Sequence, residues 1–279
     1  MRVYRDEDAD LSVIKNKTIA VIGYGSQGRA QSLNMRDSGL NIVIGAGPRN
    51  LYQGWDSAEK DGFKVLPIEE TAKSSDIVHL LLPDPVQPKV YWEKVHQNLR
   101  KGTTLGFSHG FNVIYGLIKP PEYCDVIAVV PEAPGPFIRE QYLKGSGFLG
   151  TIAVERDFTG NARKIALAMA KAIGLTRVRV LESTFREETE ADNYVEQVCI
   201  GGLIALLKYA GRTRGNRVIN RDEIRKVFLE TQDGFFARDW LVEFQAGMPL
   251  MNRLAGAGSN SEIEKTGKQL RELLGIKEH

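Results

Sequence analysis

Residues 18–39, TIAVIGYGSQGRAQSLNMRDSG, decide the fold. An apolar run rich in β-branched residues (18–23) leads into glycines at positions 23, 25 and 28, and helical periodicity follows over 26–38. Gly39 stands at the position after a helix where glycine is favoured. A buried strand, a glycine turn and a helix in this order predict the first βα unit of a doubly wound sheet.

The same alternation continues to residue 183. Further strands are predicted at 41–45, 77–83, 103–108, 126–130, 150–154 and 177–181, and further helices at 85–99 and 160–173, the latter ending before Gly174. Strands with near-continuous apolar character suit a mostly parallel sheet that is covered on both faces. We therefore expect an α/β, Rossmann-type domain over residues 1–183.

The pattern after residue 183 is helical. Long helices are predicted at 185–210, 221–245 and 261–274, with loops at 211–220 and 256–260. Residues 184–279 are accordingly predicted to form an all-α domain.

Composition narrows the functional class. The 279 residues are 42% hydrophobic with 37 basic and 35 acidic side chains, so the net charge is only +2. Since there is no long basic run, nucleic acid and acidic membranes are not expected as partners. No 18-residue apolar run exists, and the N-terminus is charged, which favours a cytoplasmic protein. Cys124 and Cys199 lack metal-site spacing and are expected to be free thiols rather than a disulfide or zinc site.

The glycine loop points to a dinucleotide. Gly23 permits the tight turn, Gly25 lets backbone N–H groups approach a pyrophosphate, and Gly28 lets helix and strand pack closely. The alternative is a purely structural turn. After the next predicted strand, residues 46–50 contain no acid for ribose hydroxyls but contain Arg49, which favours a 2′-phosphate and hence NADP. The alternative for Arg49 is a solvated loop residue.

An acidic stripe opens the helix after residue 183. Glu188, Asp192 and Glu196 are spaced four apart, and like charges at this spacing are destabilising without a cation. Carboxylate oxygens suit Mg²⁺, whereas the alternative is a solvated acidic helix start. Two further candidates follow predicted strands: His109 for proton transfer and Glu132 at the same sheet edge. A satisfied structural histidine and a surface acid are the respective alternatives.

Several sequence blocks resemble the ketol-acid reductoisomerase family. The resemblance is dense over 4–197 and includes the lead-in 8–12, the loop 23–28, GFKV at 62–65, LLLPD at 80–84, GFSHGFN at 106–112, the glycine-rich 145–150 and TFREETEAD at 184–192. It implies an NADPH- and Mg²⁺-dependent enzyme that isomerises and reduces 2-acetolactate, in which metals polarise the ketol oxygens before hydride transfer.

The resemblance also assigns residues. It implies that Gly23, Gly25, Ser26, Gln27 and Gly28 hold the NADPH pyrophosphate. The predicted cofactor site also includes Tyr24 in the same loop, Pro83 in the LLLPD block and Arg49, which is suggested by its own chemistry. Asp192 and Glu196 match the family's Mg²⁺ ligands, and His109 matches its active-site histidine. The helical domain would form a homodimer, with a second carboxylate pair supplied by the partner.

Two regions depart from the family's pattern. Glu132 replaces its lysine and Pro136 the following histidine, so a cation beside the metal site becomes an anion. The C-terminal third is shorter than the family's, and the second pair has no exact match. Glu230 lies near the first position but Gly234 occupies the other, which leaves Asp233 as the nearest acid; Asp239 and Glu243 have the required spacing elsewhere.

The sequence therefore predicts an NADP- and Mg²⁺-dependent oxidoreductase that acts on 2-acetolactate-type 2-hydroxy-3-keto acids. The proposed catalytic residues are His109 and Glu132, and the proposed metal ligands are Asp192, Glu196, Glu230 and Asp233. Two alternatives remain: a divergent paralogue that reduces another 2-keto acid without isomerisation, and a non-catalytic NADP-binding homologue.

Overall fold

The computed structural model describes residues 2–49, 54–195 and 221–253. The chain divides into two compact units, Met1–Thr189 and Glu190–His279. Glu196, Cys199, most of the helix predicted over 185–210 and the helix predicted at 261–274 lie outside the described residues.

One sheet organises the first unit. Within the described residues it has nine strands in the order β1-β9-β8-β7-β6-β5-β2-β3-β4, and neighbours are parallel except for the pairs β7–β8 and β1–β9. The strands are β1 Val3–Tyr4, β2 Thr18–Ile22, β3 Asn41–Ala46, β4 Lys64–Pro67, β5 Ile77–Leu80, β6 Thr104–Phe107, β7 Asp125–Pro131, β8 Leu149–Arg156 and β9 Arg179–Ser183.

Helices cover both faces of this sheet. They are α1 Ser12–Lys15, α2 Ser26–Asp37, α3 Gly54–Lys60, α4 Ile68–Ser74, α5 Gln87–Val90, α6 Phe111–Ile114, α7 Gly135–Leu143 and α8 Ala162–Ile173. Helix α9, Phe185–Tyr194, begins in the first unit and continues into the second. Helix α5 continues as a π turn, Tyr91–Val95, and a 3-10 turn, His96–Asn98; two more 3-10 turns are Asp6–Asp8 and Leu175–Arg177. The second unit contains α10 Arg221–Gln232 and α11 Phe235–Gln245.

The alternation of side chains along β2 shows how the two-sided core forms. Ile19 and Val21 belong to one buried cluster, whereas Ala20 and Ile22 belong to another on the opposite face. Helix α8 packs nine buried residues into the same cluster as Ile19 and Val21, because its small and branched apolar residues recur at helical spacing. The helix ends at Gly174, whose φ of 97° is the left-handed conformation that glycine tolerates.

The predicted fold class is confirmed, with local differences. The edge strands β1 and β4 were not predicted, and residues 85–99 form a short helix with π and 3-10 turns instead of one helix. Helices α10 and α11 replace the single helix predicted over 221–245, because Gly234 breaks it with a φ of 79°. Cys124 is a buried free thiol, as predicted, and burial raises its pKa to about 11. None of the described helices is long and apolar enough to cross a membrane.

Candidate active site

Four parallel strands deliver the predicted site residues to one edge of the sheet. The glycine loop follows β2, Pro83 follows β5, His109 follows β6 and Glu132 follows β7. The chain leaves β2 in one direction to β3 and later returns to β5 on the other side of β2, so the strand order reverses between β2 and β5. Open α/β sheets bind ligands in the crevice at such a reversal.

The glycine loop is shaped as an anion cradle. A Cβ on Gly28 would lie 2.1 Å from the Gly23 carbonyl oxygen, whereas a Cβ on Gly25 would meet nothing within 4 Å. Strand and helix therefore touch at Gly28 while the backbone at Gly25 and Ser26 stays exposed. Helix α2 begins there without a side-chain cap, so its first N–H groups are available to a phosphate.

Tyr24 and Pro83, two other predicted cofactor residues, lie within the loop and after the neighbouring strand β5, respectively. The Tyr24 ring is buried edge-on against Phe63, and its hydroxyl donates to Asp61 over 2.8 Å. Its side chain therefore anchors the loop through contacts within the protein. Pro83 is exposed two residues after Leu81, whose N–H bonds to the carbonyl of Ile22 and so joins the ends of β2 and β5.

Arg49 lies just beyond the end of β3, where a ribose is expected, but it is already paired. Its guanidinium is 2.8 Å from an Asp56 oxygen and 2.7 Å from a Glu59 oxygen on α3. All three side chains are largely exposed. These exposed pairs are weak, so they do not prevent a phosphate from binding, but they place two negative charges beside it.

His109 is held by a buried carboxylate. Its Nδ1–H donates to the Glu188 Oε1 atom over 3.2 Å, and its Nε2 lies 3.9 Å from an Asp84 oxygen. Glu188 Oε2 accepts the Gly110 backbone N–H at 3.0 Å and the Thr189 hydroxyl at 3.2 Å. Because an ionised carboxylate only accepts, this contact places a proton on the Nδ1 atom of the ring.

Glu132 stands at the end of β7, near the same histidine. Its Oε1 accepts the Thr151 hydroxyl at 2.8 Å. The side chain is open to solvent on one side, but burial against the protein on the other raises its pKa, and the negative charge of Glu188 adds to the rise. The Thr151 hydroxyl and His109 oppose the shift without cancelling it.

Three of the four predicted metal ligands lie in the described residues, each on a different segment of the chain. Asp192 lies on α9 one helical turn after Glu188, which puts both carboxylates on one helix face. Glu196 lies outside the described residues. Glu230 pairs with Lys226 on α10 at 3.6 Å, and Asp233 lies in the break before α11. Among the described residues, neither Glu230 nor Asp233 joins two other metal-ligating side chains.

Asp84 and Thr151 in this arrangement were not singled out from the sequence, and Glu188 was singled out only as a member of the acidic stripe. Asp84, Glu188 and Thr151 each contact a predicted catalytic residue. The signals for the first two were present, since Asp84 ends the LLLPD block and Glu188 begins the acidic stripe. Thr151 carries no local signal because its role depends on the antiparallel pairing of β7 with β8.

Comparison with known proteins matches two regions of the chain to the two domain models of one enzyme family. Residues 13–179 match the model of the acetohydroxy acid isomeroreductase NADPH-binding domain. Residues 207–275 match the model of the ketol-acid reductoisomerase C-terminal domain.

Individual relatives agree over nearly their whole length. The chain is 44% identical to the NADP(+) ketol-acid reductoisomerase of Methanopyrus kandleri and 42% identical to that of Methanocaldococcus jannaschii, with 99% of each chain covered. Among solved structures, an NADH-preferring ketol-acid reductoisomerase from an uncultured archean superposes with a TM-score of 0.89 at 35% identity, covering 98% of this chain and 99% of the other.

The alignment with the Methanopyrus protein also contains a gap. It spans 326 positions, whereas this chain has 279 residues, so at least 47 aligned positions have no residue here. Since 99% of both chains is covered, the shortfall is internal.

Proposed function

The chain belongs to the ketol-acid reductoisomerase family, and from that premise we propose that it isomerises and reduces 2-acetolactate-type 2-hydroxy-3-keto acids with NADPH and Mg²⁺. The observation that carries the proposal is the pairing of His109 with Glu188 at the sheet edge that also bears the glycine loop. Rossmann enzymes of many reactions share the loop, whereas a histidine that is held by a buried acid on α9 is a feature of this particular site.

The residues present fit both groups that this reaction needs. The exposed backbone at Gly25 and the uncapped start of α2 suit a pyrophosphate, and the Asp192 carboxylate supplies the hard oxygen that Mg²⁺ prefers. We assign Asp192 and Glu196 to the metal and the loop 23–28 to the nucleotide. When bound, NADPH supplies a hydride and Mg²⁺ supplies a Lewis acid.

The protein's own side chains carry out the proton transfers. With Nδ1–H committed to Glu188, the Nε2 atom of His109 is the one that takes a proton from a substrate hydroxyl and later returns it. Asp84 lies close enough to stabilise the imidazolium formed in between. Glu132 faces the same region and, while protonated, donates a hydrogen bond to a substrate oxygen.

The direct test is NADPH oxidation by purified protein with 2-acetolactate and Mg²⁺, with NADH in parallel and EDTA as the control. Metal-dependent turnover that EDTA abolishes supports the proposal. Protein that binds NADPH but shows no turnover contradicts it.

A second candidate function rests on Glu132 and on the internal gap in the alignment with the relatives. A carboxylate stands beside Glu188 and His109, and the chain lacks at least 47 positions of its relatives. Both features favour a paralogue that reduces a simple 2-keto acid without isomerising it. Turnover of 2-keto acids with none of 2-acetolactate would select this candidate. NADPH binding with no turnover of either class would instead indicate a non-catalytic homologue.

The charge of Glu132 predicts a pH effect on substrate binding. Because its pKa is raised, the carboxyl stays neutral to a higher pH than usual and becomes anionic as the pH rises through that value. The KM for an anionic keto acid is expected to rise roughly threefold to tenfold across this range, since the new charge is near the substrate but partly screened. Glu132→Gln should remove this dependence, whereas Glu155→Gln further along β8 should keep it. An unchanged profile in Glu132→Gln would assign the effect elsewhere.

The pairing of Arg49 predicts a cofactor effect. Replacing Asp56 by asparagine and Glu59 by glutamine releases the guanidinium and removes two charges that repel a 2′-phosphate. The ratio of kcat/KM for NADPH to that for NADH is expected to rise about fivefold to tenfold, because two exposed charges that solvent screens contribute modestly. Glu70→Gln on α4 is the matched control. A constant ratio would remove Arg49 from the cofactor site.

We also propose a homodimer in the cytoplasm. Helices α10 and α11 expose large apolar side chains, including Phe228, Leu229, Phe235 and Val242, which a second copy would cover. Sedimentation analysis should give twice the chain mass of 31.1 kDa.

A further inference from the structure

A chain of buried polar side chains lies beneath the crevice and is not used by the proposed chemistry. His79 on β5 and Gln31 on α2 are both fully buried, and the His79 Nε2 atom lies 3.0 Å from Gln31 Oε1. The Gln31 Nε2 atom lies 3.0 Å from both Ser108 Oγ and Gln27 Oε1. Polar groups so deeply buried cost stability unless they are bonded.

Two backbone carbonyls fix the direction of every bond in this chain. The Ser108 hydroxyl donates to the Val129 carbonyl at 2.8 Å, so it must accept from Gln31. The Gln27 amide nitrogen donates to the Ala133 carbonyl at 2.9 Å, so the Gln27 oxygen must also accept from Gln31. Because backbone carbonyls only accept, Ser108 and Gln27 each use their donor on a carbonyl and present an acceptor to Gln31. The Gln31 atom that faces both acceptors must therefore be its Nε2 donor.

The Gln31 oxygen is thus left for His79, which must donate from Nε2. Burial lowers the pKa of His79 to about 4, so the ring is neutral and carries a single N–H. All bonds then run in one sense, from His79 through Gln31 to the two backbone carbonyls.

The two arms end next to the proposed catalytic residues. Ser108 precedes His109, and Ala133 follows Glu132. The second arm also draws the end of β7 onto the glycine loop, where a Cβ on Gly135 would lie only 2.2 Å from the Ser26 carbonyl oxygen. The spacing between the phosphate cradle and both catalytic side chains therefore depends on Gln31.

We propose that Gln31 and His79 are positioning residues, whose one-way hydrogen-bond chain fixes His109 and Glu132 relative to the nucleotide loop. The inference rests on the proposed function for its kinetic consequence. Its structural consequence, a fixed segment 131–135, is independent of any substrate.

The kinetic test uses Gln31→Met, which keeps the length of the side chain and removes all three bonds. The backbone cradle is unchanged, so the Kd for NADPH should stay within about threefold. A displacement of about 1 Å lowers kcat tenfold to a hundredfold, and the isotope effect with deuterated NADPH should increase. Ser32→Ala is the matched control, because Ser32 is buried on the same helix and its hydroxyl has no hydrogen-bond partner among the described residues.

A second pair of variants separates positioning from folding. His79→Gln keeps an N–H donor and should retain most of the parent's kcat. His79→Leu has no donor and should lose as much kcat as Gln31→Met. Restoration by glutamine but not by leucine supports the donor role. Equal activity in both, or a kcat for Gln31→Met within twofold of the parent, overturns the proposal.

Hydrogen exchange tests the inference without catalysis. Gln31→Met should accelerate exchange of the backbone amides of Glu132, Ala133 and Gly135, which are the non-proline residues of the segment 131–135, and Ser32→Ala should not. If the parent protein shows no turnover with 2-acetolactate, the proposed function fails while this readout still decides the positioning role. Unchanged exchange in Gln31→Met overturns it.

Discussion

Asp192→Asn is expected to lower Mg²⁺-dependent turnover by about a hundredfold or more. The substitution keeps the size of the side chain but replaces a charged oxygen ligand with a neutral amide, and Mg²⁺ binding depends on carboxylate charge. Since Lewis-acid polarisation is worth several kcal/mol, turnover should fall on the order of a hundredfold or more. NADPH binding should not change, because the glycine loop lies at the sheet edge and contains no metal ligand.

The measurements are Mg²⁺ titrations of activity and calorimetric Mg²⁺ binding. Glu190→Gln is the matched control, since Glu190 lies on the same helix and its carboxylate accepts from Gln232 at 3.1 Å. We expect the control to need the same Mg²⁺ concentration as the parent. If Asp192→Asn has the parent's Mg²⁺ requirement, the metal is bound elsewhere and the assignment of the acidic stripe is wrong.

The fold was predictable because its signals are local. The strand, glycine turn and helix of residues 18–39 are adjacent in sequence, and each buried strand has its own apolar run. The two missed strands lie at the sheet edges: β1 has only two residues, and β4 contains a lysine and a proline. Edge strands need little burial, so they leave a weak pattern.

The contacts within the site were not predictable in the same way. Glu188 and His109 are 79 residues apart, and nothing in the spacing of either motif specifies that they meet. The acidic stripe suggested one shared role for its members, whereas Glu188 uses both of its oxygens on protein donors. The sequence suggested that the Arg49 guanidinium is available to a 2′-phosphate, but α3 brings the Asp56 and Glu59 carboxylates into contact with it.

Glu188→Gln should separate positioning from metal binding. An amide oxygen can accept from only one side, so its NH₂ group would face either His109 Nδ1–H or the Gly110 N–H, and both of these are donors. A buried donor without an acceptor costs about 1–3 kcal/mol, and loss of the fixed tautomer removes the base. We expect kcat to fall on the order of a hundredfold to a thousandfold, within the range that general acid–base catalysis contributes.

The matched control is Glu187→Gln, which alters an exposed neighbouring carboxylate that accepts only the Ser183 hydroxyl at 3.0 Å among the contacts resolved for it. Its kcat should equal the parent's. The Kd for NADPH and the half-saturating Mg²⁺ concentration should be preserved in Glu188→Gln, because both oxygens of Glu188 already accept from protein donors. A parallel loss of Mg²⁺ affinity would identify Glu188 as a ligand, and an unchanged kcat would remove His109 from proton transfer.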